Sequence, residues 1–166
     1  LVAALFGFLV GASTLRLRGD YLAIITLAFG EIIKYIVQNL DFLGGATGLN
    51  NIPRIIDFSN SYFIVVISIV IIAMAMTSRK GKEILSIREN EIAAENIGMR
   101  LNRIKLYGFA FSAFFAGVGG SLFAHNVGIL KPDKFGFLFS IEILVMVVLG
   151  GLGSITGAII SAILLT

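Results

Sequence analysis

The sequence contains no cysteine and a single histidine, His125. These residues therefore cannot form a disulfide framework or a thiolate metal site, and one histidine does not hold a metal ion by itself. No catalytic cluster or nucleophile–base pair is visible, so an enzyme within the membrane ranks last among the possible functions. The motif G-x-x-x-x-G-K-[ST] is absent as well, which excludes ATP binding through a P-loop in this chain.

Charge is also scarce. Charged residues make up 14% of the chain, against about 25% in an ordinary soluble domain. Hydrophobic residues make up 57%, and the mean hydropathy is +0.97. The net charge of +3 is too small to indicate a nucleic-acid partner. The composition predicts an all-α fold, that of a polytopic α-helical membrane protein solvated mostly by lipid.

The chain opens at Leu1 inside one apolar run and closes at Thr166 inside another. We therefore expect residues 1–166 to be a single transmembrane domain fragment of a longer protein, with further helices missing at both ends. Residues 1–15 have no basic leader or small-residue cleavage site, so a truncated transmembrane helix is favoured there over a signal peptide.

Five apolar stretches predict helices that cross or enter the membrane. They are residues 1–15, 21–38, 61–77, 106–124 and 140–166. The last contains the run Gly150-Gly151-Leu152-Gly153-Ser154, and three glycines in four residues favour a break in the helix. We expect two half-helices there, or one sharply bent helix.

Basic residues near the ends of the spans predict the orientation. If residues 78–105 are cytoplasmic, the inner side holds nine basic residues: Arg16, Arg18, Arg79, Lys80, Lys82, Arg88, Arg100, Arg103 and Lys105. The outer side then holds three, Arg54, Lys131 and Lys134. Residues 39–60 and 125–139 are accordingly predicted to be external.

Small residues recur at helical spacing in the later spans. Gly108, Ser112, Ala116, Gly120, Ala124 and Gly128 follow each other every four residues. Ala113, Gly117 and Ser121 form a neighbouring stripe, and Gly153, Gly157 and Ser161 repeat the spacing. Such stripes indicate close packing of helices in lipid and carry no information about a substrate.

Glu31 and Lys34 are charged residues inside the second apolar stretch. Being three residues apart on a helix, they can form an ion pair. An ionisable residue inside a span is a candidate functional residue, and a salt bridge that tolerates its charges near the interface is the structural alternative.

Residues 78–105 are the only long hydrophilic segment. Within it, apolar residues at Ile84, Ile87, Ala94 and Ile97 predict one or two short amphipathic helices, with Gly98 as a stop. The apolar face needs a cover, which is either a partner protein or the cytoplasmic end of the helix bundle itself.

Four blocks of this sequence resemble the LivM-type permeases, the membrane subunits of branched-chain amino-acid ABC importers. The blocks are residues 17–31 (LRGDYLAIITLAFGE), 45–49 (GATGL), 86–98 (SIRENEIAAENIG) and 147–157 (VVLGGLGSITG). They occur in the same order as in that family and extend over most of the chain. Residues 93–98 also resemble the broader EAA…G loop of importers, although Ile92 stands at the glutamate position and the downstream Ile and Leu-Pro are absent.

The resemblance implies a permease that moves branched-chain or related small amino acids across the inner membrane as a multi-pass protein. The implied partners are a second related permease, two cytoplasmic ATPase subunits and an external substrate-binding protein. ATP and Mg²⁺ would bind to the ATPases, and no cofactor would bind to this chain.

Two sets of site residues are predicted, the first from the resemblance and the second from the charge inside a span and the glycine-broken helix. Residues 78–105 would form a cytoplasmic coupling loop that binds an ATPase, in which Ala93 and Ala94 leave room for the partner. Its candidates are Arg88, Glu89, Glu91, Ala93, Ala94, Glu95 and Gly98. The translocation-path candidates are Thr26, Gly30, Glu31, Gly150, Gly151, Gly153 and Ser154. The alternative function is an ion-coupled secondary transporter or channel that uses Glu31.

Overall fold

A computed structural model describes residues 1–15, 20–40, 42, 44–50, 52–53 and 55–166. Eight α-helices lie within these residues: α1 Val2–Thr14, α2 Asp20–Asn39, α3 Phe58–Thr77, α4 Arg79–Glu89, α5 Glu91–Asn96, α6 Leu101–Val127, α7 Phe137–Leu149 and α8 Ile155–Leu165. Short 3₁₀ turns occur at Gly45–Thr47 and Pro132–Phe135. In the part of the chain that is described, extended pairing is limited to one bridge between Leu49 and Leu130. The prediction of an all-α fold is confirmed.

The predicted spans correspond to helices whose ends differ by a few residues. The largest difference is in α6, which begins at Leu101 and not near residue 106. Leu101 and Ile104 are buried against the preceding segment, and this packing extends the helix into residues that the sequence assigned to the loop. Arg16, Arg18 and Arg54 of the orientation prediction lie outside the described residues.

Within the described residues, α3 and α6 are long and apolar enough to cross a membrane by length and composition, while α1, α7 and α8 are shorter apolar helices. In the most apolar windows of α3 and α6, only 6% and 0% of the residues are buried inside the chain. The apolar core helix of a soluble protein would be mostly buried. The exposed apolar surface of α3 and α6 therefore fits a lipid environment.

The chain divides into two compact units, Leu1–Thr26 with Ile52–Gly128, and Leu27–Asn51 with Ile129–Thr166. In the first unit, α1 packs against α6 in an antiparallel arrangement. Ala3 lies against Gly117 and Gly7 lies against Ala113, so that neither glycine has room for a side chain. The predicted stripe of Ala113 and Gly117 thus lets the two backbones approach closely.

The longer repeat of small residues is packed only in part. A methyl group added at Gly108 would contact the side chain of Ile84, but one added at Gly120 would meet open space. Four-residue spacing alone therefore did not distinguish the packed face of α6 from its open face.

In the second unit, α7 and α8 form a hairpin. Gly150 lies directly against Gly157, and the Ser161 hydroxyl donates to the Met146 carbonyl oxygen at 2.5 Å. The pairing of residues 146 with 161 and 150 with 157 makes the two helices antiparallel. The predicted break at residues 150–154 is confirmed, and it produces two half-helices.

Candidate functional site

The segment between α3 and α6 folds into two short helices because polar side chains start each of them. The Ser78 Oγ accepts the backbone N–H of Gly81 at 3.2 Å at the start of α4, and the Asn90 Oδ1 accepts that of Ala93 at 3.0 Å at the start of α5. Both are typical N-cap bonds. The sequence predicted one or two helices in residues 84–98, and α4 begins five residues before that range because Ser78 is the cap.

The two helices share a small core with the start of α6. Ile87, Ala94, Leu101 and Ile104 are buried, and Ile84 and Met99 pack against them. The sequence left open whether a partner protein or the chain itself covers the apolar face of this segment. In the structure the chain's own α6 covers it. This corrects the expectation for Ala94: its side chain is 2% exposed and belongs to this core, so it is not available as a surface for a partner.

Two large apolar side chains, one in α5 and one directly after it, are exposed. Ile92 is 74% exposed and Ile97 is 77% exposed, with the exposed Ala93 on the same helix. The sequence grouped Ile97 with Ile87 and Ala94 on one apolar face, and this was wrong because those two are buried and Ile97 is not. In the sequence, Ile92 was noted only because it stands at the glutamate position of the importer loop. An apolar residue at that position was the signal that could have identified Ile92 as an exposed apolar residue.

The charged candidates of this segment include two ion pairs. The Lys105 Nζ lies 2.7 Å from the Glu91 Oε1 and thereby ties α6 to α5. Arg88 and Glu89 form an exposed pair at 2.8 Å, and Glu95 is exposed. The pairs orient the segment more than they stabilise it, because exposed ion pairs contribute little.

Gly98 ends α5 through its backbone conformation. Its φ of +83° is in the left-handed region, and its N–H donates to the Glu95 carbonyl oxygen at 2.9 Å. A methyl group at this position would meet no atom within 4 Å, so the requirement for glycine comes from φ and not from space.

Glu31 occupies the centre of a polar cluster in the second unit. Its Oε2 lies 3.1 Å from the Lys34 Nζ, and its Oε1 accepts the backbone N–H of Phe137 at 2.8 Å. The predicted ion pair is therefore present. The bond to Phe137, at the first residue of α7, has no counterpart in the sequence prediction because 106 residues separate the two.

A second polar contact joins the same two segments. The Gln38 side-chain amide donates to the Asp133 carboxylate, one helical turn beyond Lys34. Glu31 and Gln38 thus attach α2 to the turn that leads into α7. Since α2 and α7 meet through these bonds, Glu31 has a structural role in the described unit.

The remaining path candidates lie on α2 and in the α7–α8 turn. Gly151 and Gly153 have φ values of +89° and +93°, and the Ser154 Oγ accepts the N–H of Gly157 at 3.1 Å as the cap of α8. On α2, the Thr26 Oγ1 donates to the Leu22 carbonyl oxygen at 3.0 Å, and Gly30 is exposed.

Comparison with known proteins gives a consistent result. The profile of a family described as the permease component of the branched-chain amino acid transport system matches residues 1–166. The high-affinity branched-chain amino acid transport system permease protein LivM of Salmonella typhimurium is 37% identical over 99% of this chain and 47% of its own length. LivM of Escherichia coli is 38% identical over the same shares.

A more distant relative is the autoinducer 2 import system permease protein LsrC of Yersinia enterocolitica, which is 30% identical over 60% of this chain and 30% of its own length. The chain spans about half the length of the two LivM proteins that it matches. No solved structure matches it at a significant level.

Proposed function

Since this chain belongs to the family of branched-chain amino acid transport permease components, we propose that it acts as a membrane-spanning permease of an ATP-binding-cassette importer. The substrates are branched-chain or related small amino acids, which it carries across the inner membrane. In this proposal the chain is multi-pass, with residues 78–105 in the cytoplasm.

The observation that supports this proposal is the construction of the segment between α3 and α6. ATP-driven closure of two ATPases has to reach the membrane helices as a movement, and this requires a rigid element attached to them. The core of Ile87, Ala94, Leu101 and Ile104 joins α4 and α5 firmly to the start of α6. A force applied to α5 therefore acts directly on the long helix α6.

The exposed Ile92 and Ile97 are the residues with which α5 contacts the ATPase in this proposal. Large apolar side chains at the centre of an interface commonly contribute most of its binding energy. The pairs Arg88–Glu89 and Glu91–Lys105 belong to the same segment, and in this proposal they set the orientation of the contact.

The proposed assembly contains a second related permease, two cytoplasmic ATPase subunits and an external substrate-binding protein. ATP and Mg²⁺ bind to the ATPases. This chain supplies the path and the coupling element, and the conversion of ATP takes place outside it.

An ion-coupled secondary transporter or channel based on Glu31 has less support. Both oxygens of this carboxylate are engaged, one by Lys34 and one by the Phe137 N–H. A secondary transporter also has no need of the packed element formed by α4 and α5.

The function is tested with Ile92→Asp and Ile97→Asp in the complete transporter. Loss of an apolar anchor and burial of a charge should weaken association with the ATPase by about tenfold or more. Substrate-stimulated ATP hydrolysis should fall with it. Both quantities are measured on the purified complex.

The matched control is Asn96→Asp, which adds the same charge to the same exposed six-residue helix without removing an apolar side chain. It should leave association and stimulation close to the wild-type values. Normal association and stimulation with both isoleucine variants would contradict the coupling role of α5.

A further inference from the structure

The second unit contains an apolar groove along α2, which we call the α2 groove. Its volume is about 440 Å³, within the range of about 300–1,000 Å³ that is usual for small-molecule sites. Its apolar walls come from Ile33 and Val37 of α2, from the bridged pair Leu49 and Leu130, and from Pro132 and Phe135. The two loop residues are fixed by reciprocal backbone bonds of 3.0 and 2.9 Å, so this wall is well defined.

One charged side chain, Lys34, lines this otherwise apolar groove. Its side chain is only 18% exposed, and its ammonium group pairs with Glu31 at 3.1 Å. An ammonium group has three N–H donors, and the Glu31 pair uses one of them. Lys34 therefore has donors beyond the Glu31 pair, and an anionic group of a bound molecule would share its charge with the carboxylates of Glu31 and Asp133.

Gly30 forms part of the groove at the middle of α2. A methyl group added there would meet no atom within 4 Å. The space beside Gly30 is thus open because the residue has no side chain, and a larger residue would project into the groove without displacing the backbone.

We propose that the α2 groove binds an apolar carboxylate, with Lys34 holding the carboxylate and the apolar walls holding the aliphatic chain. The inference rests on the proposed function, which supplies a branched-chain amino acid as the ligand. An aliphatic side chain gains free energy by leaving water for such walls. A charge-assisted bond to Lys34 orients the ligand along α2.

This chemistry has two possible sources, an amino acid and a fatty acid from the membrane. The test uses a photoactivatable leucine on the complete transporter in detergent. Labelling is expected in residues 27–39 and 129–136, and excess leucine should compete with it while decanoate should not.

Two variants remove the two features of the site. Gly30→Leu fills the groove, and Lys34→Gln removes the ammonium group at similar length. Each should reduce the labelling about tenfold, as expected for the loss of one good contact. The matched control is Gly119→Leu, because Gly119 is also a helical glycine with no atom within 4 Å of an added methyl group and lies in the other unit. It should retain full labelling.

Thermal unfolding of each variant confirms that it is folded. Unchanged labelling in Gly30→Leu, or competition by decanoate and not by leucine, would overturn the proposal. ATP-driven uptake is measured in the same preparation to separate the two claims. If the transporter takes up leucine but the label appears at other residues, the groove proposal is wrong and the transport function stands. If there is no uptake but leucine competes with labelling of the groove, the transport function is wrong and the groove proposal stands.

Discussion

Glu31 illustrates, at the scale of the residue, how a charge is accommodated in an apolar helix. Placing a carboxylate in such a helix is costly unless its oxygens have partners. Glu31 has Lys34 on its own helix and the N–H of Phe137 on another. The first partner was predictable from the three-residue spacing. The second was not, because the sequence does not indicate which helix N-terminus lies opposite Glu31.

This environment predicts the behaviour of Glu31→Gln. The amide oxygen still accepts the Phe137 N–H, and only the charge that faces Lys34 is lost. Uptake by the reconstituted transporter should therefore remain dependent on ATP and insensitive to an imposed proton gradient. Uptake into proteoliposomes, with and without a protonophore, measures this.

A different result would favour the alternative transport mechanism. If wild-type uptake follows the proton gradient and Glu31→Gln abolishes it, then Glu31 couples transport to protons. The ATP-driven mechanism would then be wrong.

The α7–α8 hairpin depends, at the scale of the element, on one backbone contact. Gly150 and Gly157 touch without space for a side chain, and Gly151 and Gly153 have positive φ in the turn between them. The Ser161–Met146 bond then fixes the register of the two helices. The sequence predicted the break from the glycines of the turn, and Gly157 was noted only for its spacing.

Gly157→Ala and Gly120→Ala are a matched pair that tests this contact. The methyl group at residue 157 would collide with the Gly150 backbone and should destabilise the transporter by about 1–3 kcal/mol. The methyl group at residue 120 meets open space, and alanine favours a helix over glycine by up to about 1 kcal/mol. Thermal unfolding of the purified complex should thus shift downward for the first variant and stay level or rise for the second. Equal shifts would contradict the close contact.

The predictability of these elements follows from their length. Apolar runs of seventeen or more residues identified α2, α3 and α6, because a helix of that length averages over local irregularities. Ser78 and Asn90 are recognisable caps, although only their structure shows which helix each begins. The six residues of α5 make less than two turns, so the pattern could not decide that Ala94 faces inward and Ile97 outward.

The distribution of basic residues makes a prediction for the whole molecule. With nine basic residues on one side and three on the other, residues 78–105 should face the cytoplasm. These 166 residues contain no cysteine, so Asn90→Cys introduces the one thiol among them. An impermeant thiol reagent should label it in inverted vesicles and not in intact cells. Labelling in intact cells would reverse the orientation.

The α7–α8 hairpin bears on the membrane topology of residues 137–165. A helix of 13 residues extends about 20 Å at about 1.5 Å per residue, which is less than the hydrocarbon thickness of about 30 Å. Because α8 turns back along α7, we expect the hairpin to enter the bilayer and return without crossing it. On this expectation residues 137 and 165 lie on the same face of the membrane, whereas a hydropathy count that scores residues 140–166 as one span would place them on opposite faces.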